Sequence, residues 1–293
     1  MEFTAVSWNL FHGRDFPPDP ALFTMRSRLL GVEERNATHV QVNRDLTAEF
    51  AAMLAEAEWD VVLLQECPPR FAAPLARACD AEPHRVLTSR NSLAPLRTLA
   101  ARLNPDLVAA GEGGSNLTLV RRRFRCAFPP SEREKAHRNV RTEVLERQEL
   151  VIHTGRPERR AMALTRIALD DGAHTELCIA NLHATNDRTT LATEDVLRAA
   201  RAATEWAGDS PLLFGGDLNL RPAEDPDVFE ELRERFGLAG TTAPGAIDHL
   251  LTRGLTVVEP PAPWPPEDRE LTRDGLALRL SDHAPVQASF ASA

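Results

Sequence analysis

The sequence of 293 residues has no tyrosine, few cysteines and no long apolar run. Any role that a tyrosine hydroxyl could fill must therefore fall to another residue. The four cysteines, Cys67, Cys79, Cys126 and Cys178, form no C-x-x-C pair and no disulfide-dense pattern, which favours a reduced, cytoplasmic setting. No stretch approaches the ~20 apolar residues of a membrane span. No basic segment followed by an apolar run marks a signal peptide.

Lysine is almost absent as well, since Lys135 is the only one among 34 basic residues, and the formal net charge is −9. This balance argues against a protein that covers long duplex DNA with a basic face. It does not exclude a nuclease, because a cluster of metal-binding carboxylates is itself acidic until the cation binds. Arginine forks suit bidentate phosphate contacts, although a GC-rich coding sequence would produce the same arginine-rich composition.

Short apolar runs rich in branched residues predict eight strands. The run Asp60–Leu64 is continuously apolar, which is typical of a strand covered on both faces. In the last strand, by contrast, apolar residues alternate along the chain. The eight predicted strands are Phe3–Leu10, Asp60–Gln65, Asn116–Val120, Arg160–Leu169, Glu176–Leu182, Pro211–Gly216, Ile247–Leu251 and Ala284–Phe290.

Helical periodicity predicts three helices. The first spans Arg44–Ala57 behind Asn43 as N-cap, the second runs from about Thr190 to Trp206 and ends at Gly208, and the third covers Asp225–Phe236. No linker or repeat divides the chain, so we expect one domain over residues 1–293, with a two-layer β core flanked by helices.

Three segments resist assignment and are too long for ordinary connections, so each is functional or mobile. They are Gly13–Val42, Pro83–Gly114 and Pro129–Gln148. The proline-dense stretch Glu259–Pro266 is predicted to be neither regular strand nor helix.

Polar residues cluster where the predicted strands end. Burying carboxylates and amides is costly unless they are paired, so their repeated placement beside apolar strands implies a shared partner such as a hard dication. The clusters are Trp8-Asn9, Gln65-Glu66, Asn181-Leu182-His183, Gly216-Asp217-Leu218-Asn219 and Ser281-Asp282-His283, with Ile247-Asp248-His249 inside a strand.

The residue types at these positions select the metal. Asn9, Glu66 and Asp282 offer only oxygen ligands, which favour Mg²⁺, with Mn²⁺ as substitute, over zinc. Neither an H-E-x-x-H motif nor a cysteine set at zinc spacing is present. His283 and His249 each follow an aspartate, and a carboxylate can hold an imidazole ready for proton transfer.

The motif order resembles the endonuclease/exonuclease/phosphatase (DNase I-like) family from Ser7 to Phe290. The motifs are W-N at 8–9, Q-E at 65–66, S-N at 115–116, N-L-H at 181–183, G-D-L-N at 216–219, I-D-H at 247–249 and S-D-H-x-P-V at 281–286. The resemblance implies an α/β fold: a four-layered αββα sandwich of two mostly antiparallel sheets with flanking helices.

The resemblance also implies roles for single residues. Asn9 and Glu66 would bind the divalent cation, with Asp282 at or near it. Asp217 would orient or deprotonate the attacking water, with Asn219 beside it. The phosphoryl-side residues would be His283, held by Asp248, and His183.

Other residues are weaker candidates. Asn116 and Asn181 are expected to contact substrate, although Val120 stands where the family often has serine. His12 and Arg14 follow the first motif and could reach phosphate or lie in a solvated loop, and Arg160 is a further lead. If Asp248 points into the site, strand alternation turns His249 away from it. The same alternation spreads Arg121-Arg122-Arg123 over two faces, so a solvated edge is favoured over a nucleic-acid patch.

Together these patterns predict a divalent-metal-dependent hydrolase of phosphate esters, first of all a phosphodiesterase or nuclease. A phosphomonoesterase acting on an inositol phosphate or phospholipid headgroup is the alternative. A non-catalytic binding protein of the same fold is less favoured, because the principal motif residues are all present. We expect a monomer without a membrane span, and nucleic acid is a substrate that the net charge does not support.

Overall fold

A computed structural model of the chain describes residues 2–89, 94–126, 138–154, 159–170, 175–186 and 189–292. The strands are β1 (Glu2–Asn9), β2 (Glu34–Arg35), β3 (Val40–Gln41), β4 (Val61–Cys67), β5 (Ala81–Leu87), β6 (Ser115–Arg121), β7 (Arg123–Cys126), β8 (Arg138–His153), β9 (Arg160–Leu169), β10 (Glu176–His183), β11 (Leu212–Asp217), β12 (Asp248–Arg253), β13 (Leu255–Pro263), β14 (Glu270–Arg273), β15 (Leu276–Arg279) and β16 (Val286–Ser292). The helices are α1 (Met25–Leu30), α2 (Thr47–Glu56), α3 (Ala72–Ala78), α4 (Ala94–Leu103), α5 (Pro105–Glu112), α6 (Thr189–Ala207) and α7 (Pro226–Phe236).

Twelve of these strands form two six-stranded sheets. The first has the order β13-β16-β1-β4-β6-β5 and the second β12-β11-β10-β9-β8-β7. The pairs β1/β4 and β10/β11 are parallel, and the other neighbours in both sheets pair antiparallel. The prediction of two mostly antiparallel sheets is therefore confirmed.

Three apolar clusters define four layers. Phe3 and Leu63 of the first sheet pack with Ile179 and Leu213 of the second, so the two sheets share an inner core. The outer face of the first sheet packs on α2 and α3, and that of the second on α6 and α7. Strand alternation supplies all three clusters, because successive side chains point to opposite faces. The predicted αββα sandwich is confirmed.

The eight predicted strands and three predicted helices are all present, with shifts of a few residues at their ends. The prediction of Asn43 as the N-cap of the first helix is wrong. Helix α2 begins at Thr47, and the Asp45 carboxylate accepts the Thr47 N–H at 2.9 Å. Asn43 instead donates to the carbonyl of Ser27 and accepts the Asp106 N–H, so it joins loops rather than capping a helix. None of the helices described is both long and apolar enough to cross a bilayer.

The proline-dense stretch forms a strand, so the prediction of neither strand nor helix is wrong there. Residues 259–263 belong to strand β13, which pairs with β16 at the edge of the first sheet. Pro260 and Pro261 fall between Glu259 and Ala262, where the strand register shifts. An edge strand tolerates proline because its outward N–H needs no partner in the sheet.

The three unassigned segments contain regular structure where the structure describes them. Residues 13–42 hold α1 and the short pair β2/β3, and residues 83–114 hold most of β5 together with α4 and α5. In the third segment β8 begins at Arg138, and residues 129–137 lie outside the described ranges. The helices in these two segments are only six to ten residues long, which explains why sequence patterns missed them.

The carboxyl group of Asp15 is buried where the first long segment meets α5. Asp15 is 1% exposed and accepts the Val42 N–H at 2.9 Å. Next to Val42, the Gln41 amide donates to Asp106 in the first turn of α5 at 2.7 Å. Burial raises the pKa of Asp15 to about 8, helped by the charge of Asp106. The ordinary value for the unfolded chain is 3.8.

Asp15→Asn is expected to make unfolding less sensitive to pH. Because the pKa of Asp15 is raised on folding, the unfolded state loses this proton first as the pH rises from 3.8 to about 8, and native stability falls across that window. Relative to that of the parent, the free energy of unfolding of the variant rises by about 1 kcal/mol per pH unit between about pH 5 and pH 7. Urea unfolding at several pH values measures this gain, with exposed Asp268→Asn as control; parallel parent and variant curves would contradict the assignment.

Two glycines permit the close approach of β11 to its neighbours. A Cβ at Gly215 would lie 2.5 Å from the His249 carbonyl oxygen, and one at Gly216 would lie 1.8 Å from that of Leu182. Gly216 also has φ of 132°, which side-chain-bearing residues rarely adopt. The paired glycines therefore set the position of Asp217, the next residue.

Gly216→Ala is expected to destabilise the fold by at least about 3 kcal/mol, because it combines a backbone clash with a disfavoured φ. Gly208→Ala is the matched control, since Gly208 has φ of 60° but open space around it. That change is expected to cost about 1 kcal/mol. Chemical denaturation of both variants measures the difference, and equal costs would refute the packing argument.

Candidate active site

The two parallel strand pairs bring four polar strand ends to one edge of the sandwich. Asn9 and Glu66 lie at the ends of β1 and β4, and His183 and Asp217 end the paired strands β10 and β11. Asp248 begins β12 directly opposite Asp217, because β11 and β12 pair antiparallel. The topology therefore gathers residues that are far apart in sequence.

Asp217 lies at the centre of this group and is 2% exposed. One carboxylate oxygen accepts a hydrogen bond from the Asn9 amide at 2.9 Å and lies 3.5 Å from His183 Nε2 and 4.0 Å from His283 Nε2. The other accepts the Asn219 N–H at 3.2 Å. Burial, then the charge of Asp248, raises the pKa of Asp217 to about 7.

His283 is paired with Asp248. Its Nδ1 lies 2.7 Å from Asp248 Oδ2. Burial alone would lower the pKa of His283, but the hydrogen bond and charge of Asp248, with the charges of Asp217 and Asp282, raise it to about 10. The Trp8 indole N–H donates to the His283 carbonyl at 3.0 Å and fixes the backbone there. The imidazole is therefore held as a cation with Nε2 toward Asp217.

Ser281 connects the first strand to the histidine. Its hydroxyl is buried, donates to the Asn9 carbonyl at 2.6 Å and accepts the His283 N–H at 3.1 Å. Ser281 has φ of 60°, a conformation that non-glycine residues adopt mainly where surrounding contacts enforce it. Ser281 is not among the predicted site residues, although its place in the S-D-H motif is a signal for it.

His183 has a different electrostatic environment. The Arg160 guanidinium lies 3.3 Å from its Nδ1, and burial together with the Arg160 charge lowers the pKa of His183 well below the ordinary value. Because arginine only donates, Nδ1 accepts and Nε2 carries the proton. His183 is therefore a neutral donor aimed at Asp217, and Arg160, a weak lead in the sequence, fixes its tautomer.

Glu66 enters the site through a bulge in β4. The pairing of β4 with β6 shifts register between Leu64 and Cys67, and Glu66 itself has φ of 46°. Its carboxylate lies 3.3 Å from His12 Nε2 and 3.9 Å from His183 Nε2. Burial, then the charge of Arg14, lowers the pKa of His12 to about 4. The structure thus places His12 beside Glu66 rather than in a solvated loop.

Two other sequence candidates lie at the rim. Asp282 Oδ1 is 4.0 Å from His283 Nε2, and its side chain is 31% exposed. The Arg14 guanidinium stacks on the Phe11 ring, with its carbon 3.7 Å from the ring centroid. Both side chains border the site without being hydrogen-bonded to Asp217.

Asn116 and Asn181 lie deeper, between the sheets, and are fully buried. Asn181 accepts from the Gln65 amide at 2.8 Å and donates to the Leu64 carbonyl at 3.2 Å, while Asn116 donates to the Ala161 carbonyl at 2.8 Å. These bonds join the two sheets beneath the site. A substrate contact for either asparagine stays a prediction.

His249 points away from the site, as alternation predicted. Its Nε2 lies 3.1 Å from the Leu220 carbonyl oxygen, and its ring packs edge-on against Phe229. The arginine run is also divided: Arg121 stacks on Trp59, whereas Arg122 pairs with Glu82. The run therefore offers no continuous basic patch.

A family model provides the identification. The model of the endonuclease/exonuclease/phosphatase family matches residues 6–283, a range that includes every motif through His283. The chain belongs to this family. Its members hydrolyse phosphate esters. No curated protein matches the chain in sequence.

Solved structures of the endonuclease/exonuclease/phosphatase fold cover the chain almost completely. A family member from Bacteroides thetaiotaomicron has a TM-score of 0.64 at 13% identity, covering 100% of this chain and 98% of its own. The mannosyl-6-phosphatase Bt3783 of Bacteroides thetaiotaomicron VPI-5482 has 0.60 at 12%, with 98% and 99% covered. The human Nocturnin catalytic domain with bound sulfate has 0.59 at 13%, with 99% and 94% covered. At these identities the likeness shows the DNase I-like fold alone.

The donor set of this family site fits a hard cation. The carboxylates of Asp217 and Asp248 lie together beside His283, with one polar atom of each residue within 4.8 Å of the others. Asp248 Oδ1 is buried without a hydrogen-bond partner among the described residues. Burial, then the negative charge of Asp248 and, to a smaller extent, that of Glu66, raises the pKa of Asp217. A divalent cation with oxygen ligands would relieve this crowding.

Ser281→Ala is expected to weaken the fold by about 1 to 2 kcal/mol, because the change leaves the buried Asn9 carbonyl and His283 N–H without this partner. It is also expected to lower kcat about tenfold or more by loosening His283. Ser7→Ala is the matched control, since the Ser7 hydroxyl is equally buried but has no hydrogen-bond partner among the described residues. Urea unfolding measures the loss of stability, and turnover measures the loss of kcat. If the two variants lose equal stability and equal kcat, Ser281 does not position His283.

Proposed function

We propose that this family member is a divalent-metal-dependent phosphodiesterase in which water attacks phosphorus in line. The observation that carries the proposal is the placement of Asp217, hydrogen-bonded to Asn9 and within 4.0 Å of both His183 and His283. The carboxylate can activate water, and the neutral and cationic imidazoles beside it can stabilise negative charge on the phosphoryl group.

The proposed metal is Mg²⁺, with Mn²⁺ as substitute. Glu66 and Asn9 would hold it, with Asp282 at or near it, and Asp248 offers a further oxygen. When bound, the ion would act as a Lewis acid that stabilises negative charge on the phosphoryl group.

Asp217 is the proposed residue that orients the attacking water and accepts its proton. A carboxylate with pKa raised to about 7 is a stronger base than an ordinary aspartate and is still substantially ionised near neutral pH. Asn9 and Asn219 fix its two oxygens by hydrogen bonds. The carboxylate therefore keeps one orientation during proton transfer.

The two histidines are proposed to act on the phosphoryl oxygens. His183 would donate from neutral Nε2, and His283 would contribute a full positive charge because Asp248 holds it protonated. His283 is also the group better suited to supply a proton, although its raised pKa makes it a weak acid. The pairing with Asp248 fixes the direction in which Nε2 points.

A phosphomonoesterase is the second candidate. The net charge of −9 and the divided arginine run favour a small phosphorylated substrate, such as an inositol phosphate or a phospholipid headgroup, over a long nucleic acid. The structural likeness to a mannosyl-6-phosphatase over almost the whole of both chains is compatible with this reading. The cytoplasmic location and monomeric state stay predictions.

The metal and the base are tested together with bis(p-nitrophenyl) phosphate. We expect hydrolysis that stops with EDTA and returns with Mg²⁺ or Mn²⁺. Asp217→Asn is expected to lower kcat by at least about 100-fold, because the amide cannot accept the proton from water. Exposed Asp209→Asn is the matched control and should retain full turnover. Full activity in EDTA, or in Asp217→Asn, would refute the proposal.

The two ester classes are separated by comparing the diester with p-nitrophenyl phosphate and by measuring released inorganic phosphate. Preference for the diester supports the phosphodiesterase. Faster release of inorganic phosphate from the monoester, with the same metal dependence, would overturn it in favour of the second candidate.

A further inference from the structure

Seven large apolar side chains are exposed on α1, α4 and α5. Their exposed fractions range from 56% to 73%, whereas an ordinary surface shows such side chains singly. We call this set the leucine face: Met25, Leu29, Leu30, Leu96, Leu99, Leu103 and Leu107.

The three helices that carry the leucine face meet where α5 packs against both α1 and α4. Leu96, Leu99 and Leu103 follow the three- and four-residue spacing that lines one side of a helix, while Ala101 is buried. The Asn104 amide donates to the Arg28 carbonyl at 2.7 Å, which joins the end of α1 to the junction of α4 and α5. The exposed residues next to this bond therefore share one surface.

The charges around the leucine face oppose those of the whole chain. α1 and α4 carry four arginines and no acidic residue, although the net charge of the protein is −9. Arg26 and Arg28 are exposed and form no ion pair among the described residues. The nearby Asp45 carboxylate is already engaged by Arg70 and Arg102. Of the acidic side chains described in α5, Asp106 is 7% exposed and bonded to Gln41.

A surface of exposed leucines bordered by arginines fits only one of three kinds of partner: a second copy of the chain, a single-stranded nucleic acid or a lipid surface. A second copy docked about a twofold axis would bring arginines against arginines. Single-stranded nucleic acid would require aromatic stacking platforms, and the leucine face supplies none. An anionic lipid surface satisfies both features, because leucines enter the boundary region while arginines meet the headgroups.

We infer that the leucine face docks onto an anionic lipid surface. The C-terminal end of α5 leads to the active site: a Cβ at Gly114, just after α5, would be 3.5 Å from Glu66 Cα and 3.8 Å from His12 Cε1. Docking would therefore hold α5, whose following residues border the site, at the lipid surface. The docking itself needs no turnover, so it stands apart from the proposed function.

Co-sedimentation with vesicles tests the inference. The parent protein is expected to pellet with phosphatidylcholine vesicles that contain phosphatidylserine, and to do so much less with phosphatidylcholine alone. Leu99→Glu and Leu103→Glu are expected to abolish pelleting. Leu145→Glu, which changes a 47%-exposed leucine on β8, is the matched control and should pellet like the parent.

Reversing the charge of single arginines provides a second test in the same vesicle experiment. Arg26→Glu and Arg28→Glu are each expected to weaken partitioning by at least about fivefold, whereas Arg141→Glu, an equal change in net charge at an exposed site on β8, should not. A parent that remains in the supernatant, or Leu103→Glu that pellets normally, would overturn the inference. So would a parent dimer that Leu103→Glu converts to monomers, because the face would then cover a second copy.

Discussion

The crowding of carboxylates at one end of the sandwich is the constraint on which the site depends. Asp217 and Asp248 are buried opposite each other, and Glu66 adds a third negative charge. Such a group is tolerable away from water only if a proton or a nearby positive charge offsets it. His283 supplies one cation through its bond to Asp248, and the remaining excess explains why the donor set fits a metal.

The fold holds this costly group in place with local exceptions to regular structure. Glu66, Asn219 and Ser281 all have positive φ, and Gly216 replaces a side chain where the backbone of β10 approaches. Beneath them Asn181, bonded to Gln65, joins the sheets by side-chain hydrogen bonds where apolar packing has ended. Strain at a site, maintained by the surrounding structure, is typical of functional positions.

The core strands and most of the candidate site could be predicted from sequence, because strand alternation and the motifs are patterns that can be seen along the chain. They located the eight core strands and the polar strand ends that converge. The bulge at Glu66, the tautomer of His183 set by Arg160 and the hydroxyl of Ser281 depend on contacts between distant segments. β13 was missed because proline is unfavourable in a strand interior but acceptable at an edge. Asn43 was misassigned because a capping residue and a loop-joining asparagine look alike in sequence.

The most direct measurement is a crystal structure of the protein soaked with Mn²⁺, with the ion located by its anomalous scattering. We expect a single dominant peak bound by Glu66 and Asn9, close to Asp217 and His283. A peak elsewhere in the molecule, with this group of carboxylates left empty at saturating Mn²⁺, would contradict it.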